Sequence, residues 1–337
     1  MLLVISRTPV RISFFGGGTD YPSYYVNQKG AVLGTTIDQH VYISVKTFES
    51  SFFDHSIRIA YSKTELVRAI DEIQHPSIRE TLRYLGKKNN LDIHIFSDLP
   101  ARTGLGSSSS FTVGFLNALY ALEGKQISKQ ELACQSCHIE QDLIRENVGS
   151  QDQFHAAFGG FNIIEFSPYG TTVRPVIISK EKKELLESQL LVFFTGMTRY
   201  ASEVVEEQID KTKQHLNDVH LEKMYNLVFE AEKILMNSSL EAMPKEFGQL
   251  LHENWLLKKQ LSDKISNKSI DEVYDAAYRA GAYGGKLLGA GSGGFFAIIA
   301  PPSRHKEIRS ALKGLQEVKF KFENTGSSII YTHPSSK

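Results

Sequence analysis

At 337 residues the chain is long for one hydrophobic core and is expected to divide into about two domains. Its 41% hydrophobic and 23% charged residues are the composition of an ordinary globular protein and exclude wholesale disorder. Lys plus Arg (38) balances Asp plus Glu (38), so no global field draws in nucleic acid or an anionic membrane, and the expected partner is small. The longest apolar runs, LLVFF and FFAIIA, fall far short of the roughly 18 residues of a membrane span. MLLVISRTPV has no basic region and too short an apolar run for a signal peptide, so a cytoplasmic location is expected.

Residues 2–6 and 9–15 read as two strands around a turn, and AVLGTTIDQHVYISVKTF continues with Val41, Ile43 and Val45 in alternation. LDIHIFSDLP sets Leu91, Ile93 and Ile95 on one face and runs directly into RTGLGSSSS, residues 102–110. Beyond the serines, Phe111, Phe115, Leu116, Leu119 and Leu122 recur at helical spacing. A flexible linker does not sit between a strand and an apolar helix with so little slack, so the stretch reads as a loop whose amides hold a phosphate at a helix start. It is neither a Walker A loop, since no Lys follows Gly106, nor a Rossmann turn, since position 109 is Ser.

Pro168, Gly170 and Pro175 mark the crossing between an N-terminal domain, 1–168, and a C-terminal domain, 169–337. The second half reads as a buried strand at QLLVFFTG, a long helix from about Ser202 to Met236 and another from Met243 to Leu261. A helix from Ser269 to Ala282, strand FFAIIA, helix RHKEIRSALKGL and strands near 317–323 and 328–332 follow, an α+β pattern with no internal repeat. Cys134 and Cys137 form a lone CxxC with no second pair for a zinc site and read as reduced, buried thiols. The 11 His show no HExxH, so a metal site built by the protein alone is not expected.

Three further stretches carry chemistry. In TPVRISFFGGGTDY, Arg11 precedes glycines 16–18, and Asp20 follows them. The turn either brings backbone close to a ligand whose hydroxyls Asp20 binds, or is a hairpin whose Asp caps the next helix. GKLLGAGSGGFFAII matches GxGxxG from Gly289 to Gly294, but it follows a helix and opens a strand, the inverse of a dinucleotide fingerprint. In CHIEQDLIRENVGSQDQF, Glu140 lies on a helix and Asp152 follows the break at Gly149. A helix ending at that glycine lets both carboxylates face one site as a magnesium ligand and a general base. A phosphate cradle, a magnesium site and a base are the parts that phosphoryl transfer needs.

Taken together, LPARTGLGSSSS resembles the second motif of the GHMP small-molecule kinases, TPVRISFFGGGTDY their first, NVGSQDQ the segment of their catalytic Asp and KLLGAGSGG their third. The order is correct and spans residues 8–294. The resemblance implies a two-domain fold, an N-terminal domain like ribosomal protein S5 domain 2 and a ferredoxin-like C-terminal domain, with the active site between them. It implies ATP and Mg2+, with Gly104, Leu105, Gly106, Ser107, Ser108 and Ser109 at the ATP phosphates and Ser108 and Glu140 as metal ligands. Asp152 would take the proton of the acceptor hydroxyl, and Arg11 would stabilise charge on the transferring group. Gly17, Gly18, Thr19, Asp20, Arg199 and Gly291 are the implied acceptor contacts.

Gly17 and Gly18 stand where galactokinases carry Glu-His, which disfavours galactose. FFGGGTDYPSYY and FFTGMTRYASEV look most like the D-glycero-D-manno-heptose 7-phosphate kinase branch, which phosphorylates the anomeric hydroxyl to the 1,7-bisphosphate on the route to nucleotide-activated heptose for surface polysaccharide. The phosphate already on such an acceptor needs a cation, for which Arg199, Arg102 and Lys286 are candidates. A kinase of fucose, an N-acetylhexosamine or another alcohol, and a non-catalytic ATP and sugar sensor, are the alternatives. Oligomeric state is not legible here, and a homodimer is left open. Among the serines, Ser108→Ala is expected to lower activity and Ser110→Ala to be tolerated.

Overall fold

A computed structural model describes residues 2–87, 90–100, 103–196 and 202–333. The strands are β1 (Leu3–Phe15), β2 (Gly30–Thr47), β3 (Ile57–Ala60), β4 (Thr64–Val67), β5 (Leu91–Ser97), β6 (Phe161–Ser167), β7 (Gly170–Pro175), β8 (Leu190–Phe194), β9 (Gly284–Leu287), β10 (Phe295–Ile299), β11 (Gln316–Val318), β12 (Phe322–Glu323) and β13 (Ser328–His333). The helices are α1 (Pro22–Tyr25), α2 (Pro76–Tyr84), α3 (Ser107–Leu122), α4 (Lys129–His138), α5 (Gln151–Phe158), α6 (Lys180–Gln189), α7 (Ser202–Lys213), α8 (Asp218–Asn237), α9 (Met243–Lys259), α10 (Lys268–Arg279) and α11 (His305–Ala311).

A nine-stranded sheet runs β13-β1-β2-β5-β3-β4, with β6 and β12 also on the long β2 and β7 on β6. The two strands expected at 2–6 and 9–15 are one strand. Where a turn was expected, the register slips between Pro9 and Val10, because Pro9 has no N–H for the ladder and a bulge absorbs it. Helix α3 packs on β1 and β2 and is buried along most of its length, as its apolar repeat requires. The second sheet, β11-β8-β10-β9, is antiparallel. Its strand order and its path, β8, the helices α7–α10, β9, β10, α11 and β11, match the ferredoxin-like arrangement with the first crossover expanded to several helices. Edge-to-face contacts of Phe14 and Phe15 with Phe247 on α9, at 5.4 and 5.1 Å, join this half to β1.

The helix expected over Ser202–Met236 is two helices, α7 and α8. His215 takes φ +62°, and the Asn217 amide donates to the carbonyls of Gln208 and Leu261, both at 3.3 Å, which favours a turn over continued helix. The strand expected at 317–323 is likewise divided. β11 lies in the second sheet, whereas β12 pairs with β2 and β13 with β1, so the last described strand lies in the same sheet as the first. The first sheet also extends past 168 through β7. Both thiols are free, and Cys134 is exposed rather than buried because it lies on the outer face of α4. No helix among the described residues is long and apolar enough to cross a membrane.

Candidate active site

Three consecutive residues at the start of α5 each hold a different part of the site. Gln151 donates from Nε2 to Asp20 Oδ2 at 2.9 Å. Asp152 accepts from Arg11 Nε at 2.8 Å and lies 2.6 Å from its Nη2. Gln153 donates to Glu140 Oε2 at 2.5 Å, and Ser109 donates to the same oxygen at 2.8 Å. Glu140 and Asp152 are thus both tied to the start of α5, but not by a helix ending at Gly149: α4 continues as a π-helical turn, Ile139–Leu143, that holds Glu140, and the helix stops there, with Arg145 at φ +64°. Burial raises the Glu140 carboxyl to about 7, against the opposing hydrogen bonds of Thr112, Ser109 and Gln153. Its Oε1 is buried without a partner.

Arg11 also binds the phosphate loop, donating from Nη1 to the Gly104 carbonyl at 2.6 Å, while its amide donates to the Leu105 carbonyl at 2.9 Å. Gly106, at φ +76°, opens α3 with no side-chain cap, so the first-turn amides of residues 107–109 are left for an anion. Ser109, not Ser108, is the serine set against Glu140. Ser108 is exposed, since adjacent residues of a helix point to different sides. Ser110 donates to the Pro9 carbonyl at 2.8 Å. We expect Ser110→Ala to cost about 1 kcal/mol through that lost buried bond yet keep full turnover. A melting curve together with a rate on the folded variant checks this, and a rate loss like that of Ser108→Ala would contradict it. The third glycine cluster lies on this loop: a Cβ at Gly104 would stand 2.4 Å from the Leu288 carbonyl oxygen, and one at Gly289 2.4 Å from Gly104 Cα.

The first glycine turn is organised from within. Thr19, implied as an acceptor contact, is fully buried, and its hydroxyl is shared by the carbonyls of Gly16 and Ala31, at 2.8 and 2.9 Å, so it holds the turn. Asp20 Oδ1 accepts from the Gly18 amide at 2.9 Å, and its carboxyl is raised by burial and by Asp152. Its Oδ2 ties the turn to α5, whereas the next helix, α1, has no side-chain cap, so the hairpin-cap alternative is not what the structure shows. Gly17 faces Gln151 and Ser13, whereas Gly18 packs near Leu221, Gln208 and Leu261 of the second half. Gly291 lies against the backbone of Ile265, outside the contacts that gather Asp152, Arg11 and Asp20. Arg199 and Arg102 lie outside the described residues. Lys286 is buried and donates to the Phe14 carbonyl at 3.0 Å.

Four residues at the site were given no role from the sequence. Burial, then the charges of Asp20 and Asp152, push the Tyr21 hydroxyl far up. Lys258, on α9, is buried, bonds the Gly289 carbonyl and feels Arg11, Asp20 and Asp152. The glutamines had a signal in their position flanking Asp152, and Tyr21 in closing TPVRISFFGGGTDY, whereas Lys258 had none. Among the described residues no three His, Cys, Asp or Glu form a ready metal cage. A single carboxylate with a free oxygen beside serine hydroxyls still suits Mg2+, which takes few protein oxygens and completes its shell with water and substrate phosphate.

Residues 66–160 match the model of the GHMP kinases N terminal domain and residues 239–316 that of the GHMP kinases C terminal domain. A D-glycero-alpha-D-manno-heptose 7-phosphate kinase of Campylobacter jejuni is 29% identical over 93% of this chain and 94% of its own. A mevalonate kinase of Pyrococcus horikoshii is 29% identical over 75% of this chain and 72% of its own. The crystal structure of a D-glycero-D-manno-heptose 1-phosphate kinase from Bacteroides thetaiotaomicron superposes with a TM-score of 0.76 over the whole of both chains at 24% identity.

Proposed function

We propose that this chain, which belongs to the GHMP kinase family, transfers the γ-phosphoryl group of ATP to the anomeric hydroxyl of a D-glycero-D-manno-heptose 7-phosphate. The observation that carries the reaction is the Arg11–Asp152 pair beside the uncapped start of α3. ATP phosphates lie against the amides of residues 107–109, where the helix dipole adds to their hydrogen bonds. Asp152 accepts the proton of the acceptor hydroxyl as the oxygen attacks. Arg11, fixed to both Asp152 and the Gly104 carbonyl, holds the base in line with the phosphate loop and sets positive charge beside the transferring group. Glu140, with the hydroxyl of Ser109 that bonds it, would hold magnesium, which neutralises phosphate charge when bound, and the exposed Ser108 hydroxyl would face the phosphates.

The acceptor is read from two features: the named similarity to a heptose 7-phosphate kinase, and glycines rather than a carboxylate at positions 17 and 18. A panel scored by ADP release tests it. Heptose 7-phosphate is expected to give the highest kcat/KM and a product with two phosphorus resonances, one of them on the anomeric carbon. Equal or better turnover of fucose, an N-acetylhexosamine or an unphosphorylated heptose would overturn this acceptor while leaving the kinase reaction in place.

A further inference from the structure

The site holds a buried cation for which the reaction as described has no use. Lys258 is 5% exposed, and among the described residues no carboxylate lies within ion-pair distance of it; its Nζ bonds only the Gly289 carbonyl. Arg11, by contrast, is matched by Asp152. Lys286 is 1% exposed, feels Lys258, and donates a hydrogen bond to the Phe14 carbonyl at 3.0 Å. One helical turn before Lys258, Asn254 addresses the same Phe14 carbonyl at 3.4 Å, and its own Oδ1 is buried without a partner. Phe14 leads into the first glycine turn, and Gly289 packs on Gly104 of the phosphate loop. The lysines therefore stand where the acceptor turn and the ATP loop meet. A buried ammonium with no counter-ion is unfavourable unless an anion arrives to pair with it.

We propose that Lys258 binds a phosphoryl group in the active site, with Lys286 and Asn254 fixing the wall from which it reaches. Two sources share that chemistry: the phosphate already on the acceptor and the γ-phosphate of ATP. The kinase reading underlies both, and the first also needs the phosphorylated acceptor. Lys258 approaches from α9, which no sequence motif marks, and it was not among the three cations, Arg199, Arg102 and Lys286, offered from the sequence for the acceptor phosphate. Burial, then Arg11, lowers its ammonium to about 8, against Asp20 and Asp152, which favour the charge. With Lys286, these are the charged groups that face it. The positive charge is present below that value and is lost as pH rises through it, so phosphoryl affinity falls on the alkaline side.

The test uses Lys258→Met and Lys258→Arg in the full chain, with KM measured separately for ATP and for the best acceptor of the panel. Losing a charged hydrogen bond predicts a rise of about 10- to 100-fold in one KM for Lys258→Met. A rise confined to the phosphorylated acceptor assigns the acceptor phosphate, and a rise confined to ATP assigns the γ-phosphate. If native protein turns over only unphosphorylated sugars, the heptose phosphate reading fails, and the ATP arm still decides the role of Lys258. Lys258→Arg is expected to restore affinity and to abolish the alkaline rise in KM, because a guanidinium does not deprotonate there. This second variant also decides the matter should Lys258→Met fail to fold. A folded Lys258→Met with both KM values and kcat unchanged, or a Lys258→Arg whose KM still climbs with pH as in the native protein, would overturn the proposal.

Discussion

Replacing Asp152 with Asn is expected to lower kcat by about 10²- to 10⁴-fold while leaving ATP binding close to native, with some loss of stability because the buried Arg11 loses its counter-charge. The substitution is nearly isosteric. Its carbonyl oxygen can still accept from Arg11 Nε, the 2.8 Å bond that fixes the start of α5 to β1, so the loops keep their places. What is lost is the capacity to take a proton from the acceptor hydroxyl. Single-turnover rates and calorimetric titration with ATP separate the two effects. A near-native rate would remove Asp152 from the role of base and would point to a reaction in which the hydroxyl proton leaves to solvent or to phosphate.

The second large effect is expected at Gly289, where the constraint is contact between two backbones. Gly289 has φ +79°, and a Cβ there would stand 2.4 Å from Gly104 Cα, closer than nonbonded carbons come. Neither side is the flexible end of a side chain, so Gly289→Ala must push the third glycine loop away from the phosphate loop. A displacement of about 1 Å at a reacting centre can lower the rate about 10²-fold, and we expect a loss of that order in kcat/KM. Overpacking adds about 1–3 kcal/mol of destabilisation. Gly86→Ala is the control: that residue also has positive φ, +61°, but its Cβ would meet nothing within 4 Å. It should lose a little stability and no activity. If both variants kept native kinetics, the close approach of the loops would not matter to catalysis.

Much of this site was legible because its parts are local in sequence. The strand ending at Ser97 and the helix from Ser107 flank the serine loop, so alternation followed by helical spacing revealed the strand-loop-helix run before any tertiary contact was known. Glu140 and Asp152 were placed together for a similar reason, a helix and a break only 12 residues apart. Lys258 was not legible. It lies in a helix whose pattern of apolar and charged residues fits an ordinary amphipathic face, and only the packing of α9 against Phe14 and Phe15 turns it inward. Thr19 fails in the opposite way, since a hydroxyl inside a motif reads as a ligand contact until its three backbone partners are seen. The break between α7 and α8 was missed because Gln214–Asn217 contains neither Gly nor Pro, and the turn rests on side-chain hydrogen bonds from Asn217.

The pairing of β13 with β1 has a consequence for how the molecule is made. Leu3 stands opposite His333, so β1, once made, waits for a strand about 330 residues further along before its outer edge is covered. At about 5–20 residues per second, synthesis of the intervening chain takes roughly 16–66 s. Throughout that interval the inner edge of β1 can pair with β2, while the outer edge presents an open row of amides and carbonyls. The N-terminal half therefore cannot finish folding as an independent unit during translation. Its exposed edge is where a nascent chain of this protein is most open to pairing with a neighbour or to capture by a chaperone.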